Sequence, residues 1–227
     1  MEEKAVVFDI YGTMVDINTD EESDLFWHRF AKYTKRYHKF DWQELKKLYK
    51  KYVDELLLKD EEIEIIDAFK KMFNADTKQI KKIAYKFRRL STKYIRLYPK
   101  MIKLLKILKK NNYKLFILSN AQESFTLPEL KKLKIYKYFD QIAISSNYKI
   151  KKPNKEFYLK ALSAFKVKKA YMIGNDYECD IKPALELGLK PIFIKSNLTP
   201  KDQFKHYGLD GFDYLKILSL VGVNWSR

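Results

Sequence analysis

Two of the short apolar runs in this 227-residue chain end in side chains that could do chemistry. Asp9 ends the run AVVFD, and Tyr11 and Thr13 follow it. Ser119 ends the run KLFILS and is followed by Asn120. A buried carboxylate is costly unless it is paired, bound to a metal or catalytic. Asp9 is therefore a candidate nucleophile, and the hydroxyl and amide groups are candidate hydrogen-bond donors to a substrate.

Two later runs are also followed by charged side chains. Lys152 comes after the third run, and Asp176 and Asp180 come after the fourth, which ends in Gly174. Taken singly, each has a structural explanation, such as a helix cap or a solvated lysine. Taken together with Asp9, they supply what phosphoryl transfer requires. Oxygens of the three aspartates could hold a divalent cation, while Lys152 and the serine hydroxyl hold phosphate oxygens.

The elements that would position these residues are indicated by hydrophobic patterning. Five apolar, β-branched-rich runs predict buried strands over residues 5–9, 114–119, 141–146, 170–174 and 190–195. Helix-length amphipathic segments over about 126–138, 154–166 and 179–187 separate the later runs. This alternation is typical of an α/β fold with a doubly wound, Rossmann-like parallel sheet. The carboxyl ends of parallel strands share one edge, so the candidate residues should meet there.

One gap in the chain is too long for a simple crossover. About a hundred residues separate the first two predicted strands, and a crossover helix over 100–111 accounts for few of them. Residues 17–92 show helical spacing throughout and no strand signal, which predicts an inserted α-helical cap domain. Residues 1–16 and 93–227 would then form the α/β core domain. A natural role for the cap is a lid over the strand ends.

Composition and charge limit the class of protein. The hydrophobic content of 46% favours a globular fold, and the single cysteine, Cys179, excludes a disulfide within the chain. No secretory signal or membrane span is evident, so a cytoplasmic location is expected. The formal net charge is +17, with 15 Lys or Arg against three acids in residues 93–152. Helical spacing favours solvated helix faces for these lysines over a nucleic-acid surface.

Four segments resemble, in order and at suitable spacings, the motifs of the haloacid dehalogenase (HAD) superfamily. The segments are FDIYGT, LSNAQ, KKPNKEFY and GNDYECD. The first and fourth are specific, whereas the second and third are weak alone. The likeness covers residues 1–16 and 93–210, with the insertion where that superfamily places its helical cap. It implies a hydrolase that requires Mg²⁺ in its phosphatase members.

The resemblance also implies roles for individual residues. Asp9 would be the nucleophile that forms an aspartyl intermediate, and the Tyr11 backbone carbonyl would be a metal ligand. Phosphate partners and charge stabilisation are implied for Thr13, Ser119 and Lys152. Asp176 and Asp180 would be the acidic metal residues.

Tyr11 departs from the phosphatase pattern. HAD phosphatases usually carry a second aspartate two residues after the nucleophile, as a general acid and base. A phenol, with a reference pKa of about 10, is a poor proton shuttle at neutral pH. The D-x-Y-G-T form resembles the 2-haloacid dehalogenase branch, which needs no metal. That branch places an arginine early in the cap, in a context that neither Arg29 nor Arg36 has.

The fourth motif favours the metal-dependent alternative, because it carries two carboxylates of the metal-binding kind. The sequence therefore predicts a Mg²⁺-dependent phosphatase that acts on a small phosphorylated metabolite through an aspartyl-phosphate at Asp9. A 2-haloacid dehalogenase remains the enzymatic alternative. A non-enzymatic module that binds anions or nucleic acid through the basic 93–152 surface remains the other.

Overall fold

The computed structural model describes residues 4–163 and 169–223. The strands are β1 (Lys4–Phe8), β2 (Val15–Thr19), β3 (Thr92–Leu97), β4 (Tyr113–Ser119), β5 (Gln141–Ile144), β6 (Lys169–Gly174), β7 (Lys190–Lys195) and β8 (Leu209–Asp210). The α-helices are α1 (Asp24–Thr34), α2 (Trp42–Leu57), α3 (Ile65–Met72), α4 (Thr77–Ser91), α5 (Met101–Lys110), α6 (Glu123–Lys132), α7 (Ser145–Tyr148), α8 (Lys155–Leu162), α9 (Lys182–Glu186) and α10 (Tyr214–Val221). Short 3₁₀ turns cover Lys35–Tyr37, Tyr136–Tyr138 and Lys201–Lys205, and a π-helical turn covers Tyr177–Ile181.

Six of the strands form one parallel sheet in the order β5-β4-β1-β6-β7-β8. The central strand β1 is buried on both faces because its neighbours and the flanking helices cover it. Phe8, its last residue, lies in register with Ile117 of β4 and Ile173 of β6. The chain therefore leaves all three strands at the same edge. The predicted α/β fold with a parallel Rossmann-like sheet is confirmed.

All five predicted strands are present in the sheet, with ends that differ by at most two residues. The predicted crossover helix is α5, and the segment near 126–138 contains α6 and a 3₁₀ turn. The segment over 179–187 is divided between the π-helical turn and α9. Residues 164–166 of the predicted helix over 154–166 lie outside the described residues. Apolar β-branched runs therefore located the sheet well.

The expectation that the insertion lacks strands needs correction. β2 and β3 form an antiparallel two-stranded ribbon at its two ends, with Ile17 opposite Ile95. Arg96 bridges to Asp16 across the ribbon at 2.8 Å. The two runs are only five and six residues long and each pairs with a partner that is distant in sequence. A local pattern cannot reveal such pairing.

The four helices between β2 and β3 share an aromatic core of their own. Phe26, Phe30, Phe69 and Phe87 are buried together, with the Phe87 ring 4.9 Å from Phe26 and 5.0 Å from Phe30. α4 contributes Phe87 from an apolar stripe at helical spacing and begins at a capping box on Asp76. Truncating a buried phenylalanine to alanine typically costs about 3–5 kcal/mol. This packing fixes the position of α4, the helix that contains Arg88.

An acidic segment, residues 60–65, links α2 to α3 and is hydrogen-bonded to residues at the sheet edge. Glu62 accepts a hydrogen bond from Ser145 Oγ at 3.0 Å. Glu64 accepts from Ser146 Oγ at 2.8 Å and from the backbone N–H of Glu123 at 3.0 Å. These bonds hold the inserted helices over the edge where β4 and β5 end. Among the described residues, no helix is long and apolar enough to cross a membrane.

Candidate active site

Asp9 lies at the centre of the sheet edge and is only 7% exposed. Its backbone N–H donates to the carbonyl of Ile173 at 2.9 Å, which continues the β1 register by one residue. Its Oδ1 atom accepts from Ser119 Oγ at 3.0 Å and from Lys152 Nζ at 2.8 Å. Among the residues that the structure describes, its Oδ2 atom has a single, long contact, with Thr13 Oγ1 at 3.4 Å. The carboxylate is therefore fixed through one oxygen, and the other is the freer of the two.

Lys152 lies between two carboxylates. Its buried ammonium is 2.8 Å from Asp9 and 2.6 Å from Asp180. Burial alone would lower the pKa of Lys152, but the charges of Asp180 and Asp9 outweigh it and raise the pKa. The side chain therefore stays a cation at neutral pH. The side-chain amide of Asn120 bonds both the N–H and the carbonyl of Lys152, at 2.8 and 2.9 Å, so Asn120 positions the lysine.

Asp180 uses both of its oxygens within the protein. Oδ1 accepts from Lys152, and Oδ2 accepts from the backbone N–H groups of Asn175 and Asp176, at 3.1 and 3.0 Å. A Cβ atom on Gly174 would lie 2.3 Å from this carboxylate, so only glycine permits the approach. Burial raises the pKa of Asp180 to about 6, although Lys152 opposes the shift. Asp180 thus positions the lysine.

Asn175 is the polar residue of the fourth motif that faces Asp9. Its Oδ1 atom accepts from Thr13 Oγ1 at 3.0 Å, the same hydroxyl that lies 3.4 Å from Asp9 Oδ2. Gly12, at a φ of 84°, leaves the room for this amide, since a Cβ there would meet Asn175 at 2.5 Å. Asn175 was not among the site residues predicted from the sequence. The sequence feature that could have identified it is its position directly after the end of β6.

Asp176, which the family resemblance implies as a metal residue, makes hydrogen bonds to the segments that follow it. Its Oδ1 atom accepts from the backbone N–H of Cys179 at 2.9 Å and from Gln203 Nε2 at 3.2 Å, so it caps the following turn. No three His, Cys, Asp or Glu side chains within residues 4–163 and 169–223 are placed to share a metal ion. Asp9 and Asp180 share the Lys152 ammonium, and their expected joint role with Asp176 around a cation stays a prediction.

A smaller set of oxygen donors still fits Mg²⁺. Asp9 Oδ2 and Asn175 Oδ1 share the single hydroxyl proton of Thr13, and each oxygen has two lone pairs, so both retain acceptor capacity for a metal ion. Mg²⁺ is usually bound through one or two carboxylates, with waters and substrate phosphate completing its octahedron. Asp9, the Asn175 amide oxygen and the implied backbone carbonyl of Tyr11 meet that requirement. Lys152 neutralises the remaining carboxylate.

The Tyr11 hydroxyl is bonded to side chains of α6 and is not placed to act as a general acid or base. Its hydroxyl donates to Glu129 Oε2 at 2.5 Å and lies 3.1 Å from Thr126 Oγ1. Burial raises the pKa of the phenol, and the charge of Glu129 raises it further. Arg88 Nε donates to the same carboxylate at 2.7 Å. This cluster was not predicted, because α1–α4 and α6 contain no motif that marks it.

A cavity of about 560 Å³ separates the sheet edge from the inserted helices. Tyr11 and Asn120 line it from the sheet, while Glu21, Tyr49 and Arg88 line it from the other side. Neither arginine considered from the sequence, in α1 or in the turn after it, is among the lining residues. The volume suits a small molecule.

Comparisons with known proteins place this chain in a family. The sequence model of the haloacid dehalogenase-like hydrolases matches residues 3–188. The chain is 30% identical over 120 residues to a glyceraldehyde 3-phosphate phosphatase of Methanothermobacter thermautotrophicus, a match that covers 51% of this chain and 53% of the relative. It is 32% identical over 104 residues to the enzyme of that name from Pyrococcus furiosus, covering 45% of this chain and 43% of the relative. The chain thus spans about half the length of the curated relatives it matches.

Solved structures match the fold over nearly the whole chain. A HAD phosphatase from Thermococcus onnurineus superposes with a TM-score of 0.64 at 21% identity, covering 96% of this chain and 98% of that one. A 2-haloacid dehalogenase from Pseudomonas syringae superposes with a TM-score of 0.63 at 16% identity, covering 97% and 98%. These identities support the fold alone. Because the family match covers most of the sequence, the chain belongs to the haloacid dehalogenase-like hydrolases.

Proposed function

We propose that this hydrolase cleaves small phosphate monoesters, with Asp9 as the nucleophile. The observation that carries the proposal is how the Asp9 carboxylate is held. Two donors bind Oδ1, while Oδ2 has one long contact within the described part of the chain. The phosphatase names of the curated relatives support the same substrate class.

In the first step, a carboxylate oxygen of Asp9 attacks phosphorus, and the bond to the ester oxygen breaks. The alcohol leaves with a proton taken from water, and an aspartyl-phosphate remains. Water then attacks this acyl phosphate, which releases inorganic phosphate and restores the carboxylate. Lys152 offsets charge throughout because it stays protonated, and the hydroxyls of Ser119 and Thr13 can donate to phosphate oxygens.

Mg²⁺ is part of the proposal as the partner of Asp9, Asn175 and the Tyr11 carbonyl. When bound, it would neutralise charge on the phosphate and so reduce the repulsion between two anions.

Dehalogenation of a 2-halo acid is a second candidate, favoured by one observation. The ammonium of Lys152 lies within 2.8 Å of both Asp9 and Asp180, so these two acids coexist without a metal ion. In that reaction the Asp9 carboxylate attacks the carbon that bears the halogen, and halide leaves. Water then hydrolyses the resulting ester.

The test is a screen of the purified protein against phosphate esters and 2-halo acids, in Mg²⁺ and in EDTA. The proposal expects phosphate release in Mg²⁺, with loss of activity in Asp9→Asn. Asp24→Asn, which changes an exposed aspartate of α1, is the matched control and should retain activity. Halide release in EDTA would establish the second candidate instead. Phosphatase activity that survives Asp9→Asn unchanged would refute the nucleophile assignment.

A further inference from the structure

Arg88 of α4 is a partly buried cation that lines the cavity. Its side chain is only 16% exposed. The guanidinium lies 5.5 Å from the centre of the Tyr11 ring and 5.2 Å from that of Phe125. Glu129 fixes it through Nε at 2.7 Å and through Nη2 at 3.4 Å. A guanidinium held in this way has little conformational freedom left to lose when it binds a ligand.

The edge of Arg88 that faces away from Glu129 is free. Nη1 makes no hydrogen bond to any residue in the described ranges. No buried side-chain nitrogen or oxygen within those ranges lacks a partner, so Nη1 is at an accessible surface. Arg88 borders both the cavity and a groove beside α6. The Tyr11 ring, over which the guanidinium lies, lines the cavity and not that groove.

We infer that Arg88 forms an anion subsite that binds a carboxylate at the end of the substrate remote from the phosphate. The inference rests on the proposed function and names its substrate class, a small phosphorylated hydroxy acid. A guanidinium edge pairs with a planar carboxylate through two parallel hydrogen bonds. A singly charged carboxylate fits better than a second phosphate, because Glu21 and Glu62 also line the cavity and repel a dianion about twice as strongly as a monoanion.

The experiment compares two ligands that differ only in the remote group: 2-phosphoglycolate and its carboxamide analogue. Turnover is measured in Mg²⁺ for the natural sequence, Arg88→Met, Arg88→Lys and the control Arg89→Met. Arg89 is the neighbouring residue of α4, but it is exposed and does not line the cavity. Calorimetric binding of both ligands to Asp9→Asn, with and without Arg88→Met, gives a readout independent of turnover. Arg88→Met/Glu129→Gln is included because the single variant leaves Glu129 without its cation.

We expect Arg88→Met to raise KM for 2-phosphoglycolate roughly 10- to 100-fold, as expected for loss of charged hydrogen bonds, with kcat nearly unchanged. Its KM for the carboxamide should rise much less, because the neutral amide offers the guanidinium only one acceptor oxygen and a weaker hydrogen bond. The kinetics of Arg89→Met with both ligands should match those of the natural sequence. The double variant should behave like Arg88→Met, and Arg88→Lys should recover part of the loss.

The anion subsite is refuted if the natural sequence binds 2-phosphoglycolate and its carboxamide equally well and Arg88→Met does not change this. That result would leave the phosphatase proposal intact. Absence of phosphate release from every ester would overturn the phosphatase proposal. In that case, carboxylate-selective binding that Arg88→Met removes would still support the subsite, and unselective binding would refute it.

Discussion

Replacing Lys152 with methionine tests the charge arrangement of the site most directly. The substitution keeps the length of the side chain but removes the ammonium that lies 2.8 Å from Asp9 and 2.6 Å from Asp180. Removing one partner of a buried ion pair typically destabilises a protein by about 3–5 kcal/mol. We expect the free energy of unfolding of Lys152→Met to fall by about that amount at pH 7.5, measured by urea denaturation.

The loss should depend on pH with a defined sign. Burial raises the folded-state pKa of Asp180 to about 6. This pKa is higher than that of an aspartate in the unfolded chain. Ionisation of Asp180 therefore lowers the free energy of unfolding as the pH rises from the ordinary aspartate pKa to about 6. Without the lysine, the two backbone N–H bonds to Oδ2 remain but the opposite charge is lost, so the penalty increases. At pH 5 the carboxyl is largely protonated, so part of the lost stability should return.

Two further variants separate this explanation from a simple packing defect. Lys151→Met changes the adjacent, exposed lysine and should alter the free energy of unfolding by less than about 0.5 kcal/mol. Lys152→Met/Asp180→Asn removes one carboxylate with its cation and should recover part of the stability. A Lys152→Met protein as stable as Lys151→Met, or a loss that is the same at pH 5 and pH 7.5, would refute the reasoning.

Three other predictions follow from the geometry of the site. Tyr11→Phe should change kcat less than about threefold, since the buried phenol stays protonated, and a large fall in kcat would contradict this. The same variant should lower the free energy of unfolding by about 1–2 kcal/mol because Glu129 loses a donor. Asn175→Ala should raise the Mg²⁺ concentration for half-maximal activity at least roughly tenfold, whereas Asp176→Asn should leave it nearly unchanged in a Mg²⁺ titration. Gly12→Ala, at a φ of 84° and 2.5 Å from the Asn175 amide, should cost about 1–2 kcal/mol from backbone strain and reduce activity; activity equal to that of the natural sequence would show that the amide can move freely.

Hydrophobic patterning predicted the sheet and therefore much of the site. Asp9 and Ser119 were identified as neighbours because each ends a buried run, and parallel strands end at one edge. The bond between them, at 3.0 Å, joins residues 110 positions apart. Thr13 and Lys152 were selected on the same reasoning, and both lie within hydrogen-bonding reach of Asp9.

The choice between Asn175 and Asp176 could not be made from the sequence. Both follow β6, and a carboxylate is the better metal ligand in isolation. The backbone at Asp176 is extended, with a φ of −115°, and the next residues turn into a helix. That conformation makes Asp176 the helix cap and directs Asn175 toward Thr13. Which side chain faces the site therefore depends on a local turn that residue types do not specify.

Lys152 supplies positive charge where the sequence predicted a metal ion. The sequence suggested that acids at this edge could coexist only around a bound cation, but the protein supplies that cation from its own chain. Asn175 is neutral, so Asp9, Asp180 and Lys152 together leave a single negative charge at the edge. A site with one unbalanced carboxylate binds Mg²⁺ weakly by itself, and phosphate oxygens complete the coordination. The proposed metal therefore neutralises the substrate more than the protein, and Mg²⁺ affinity should rise when inorganic phosphate is present.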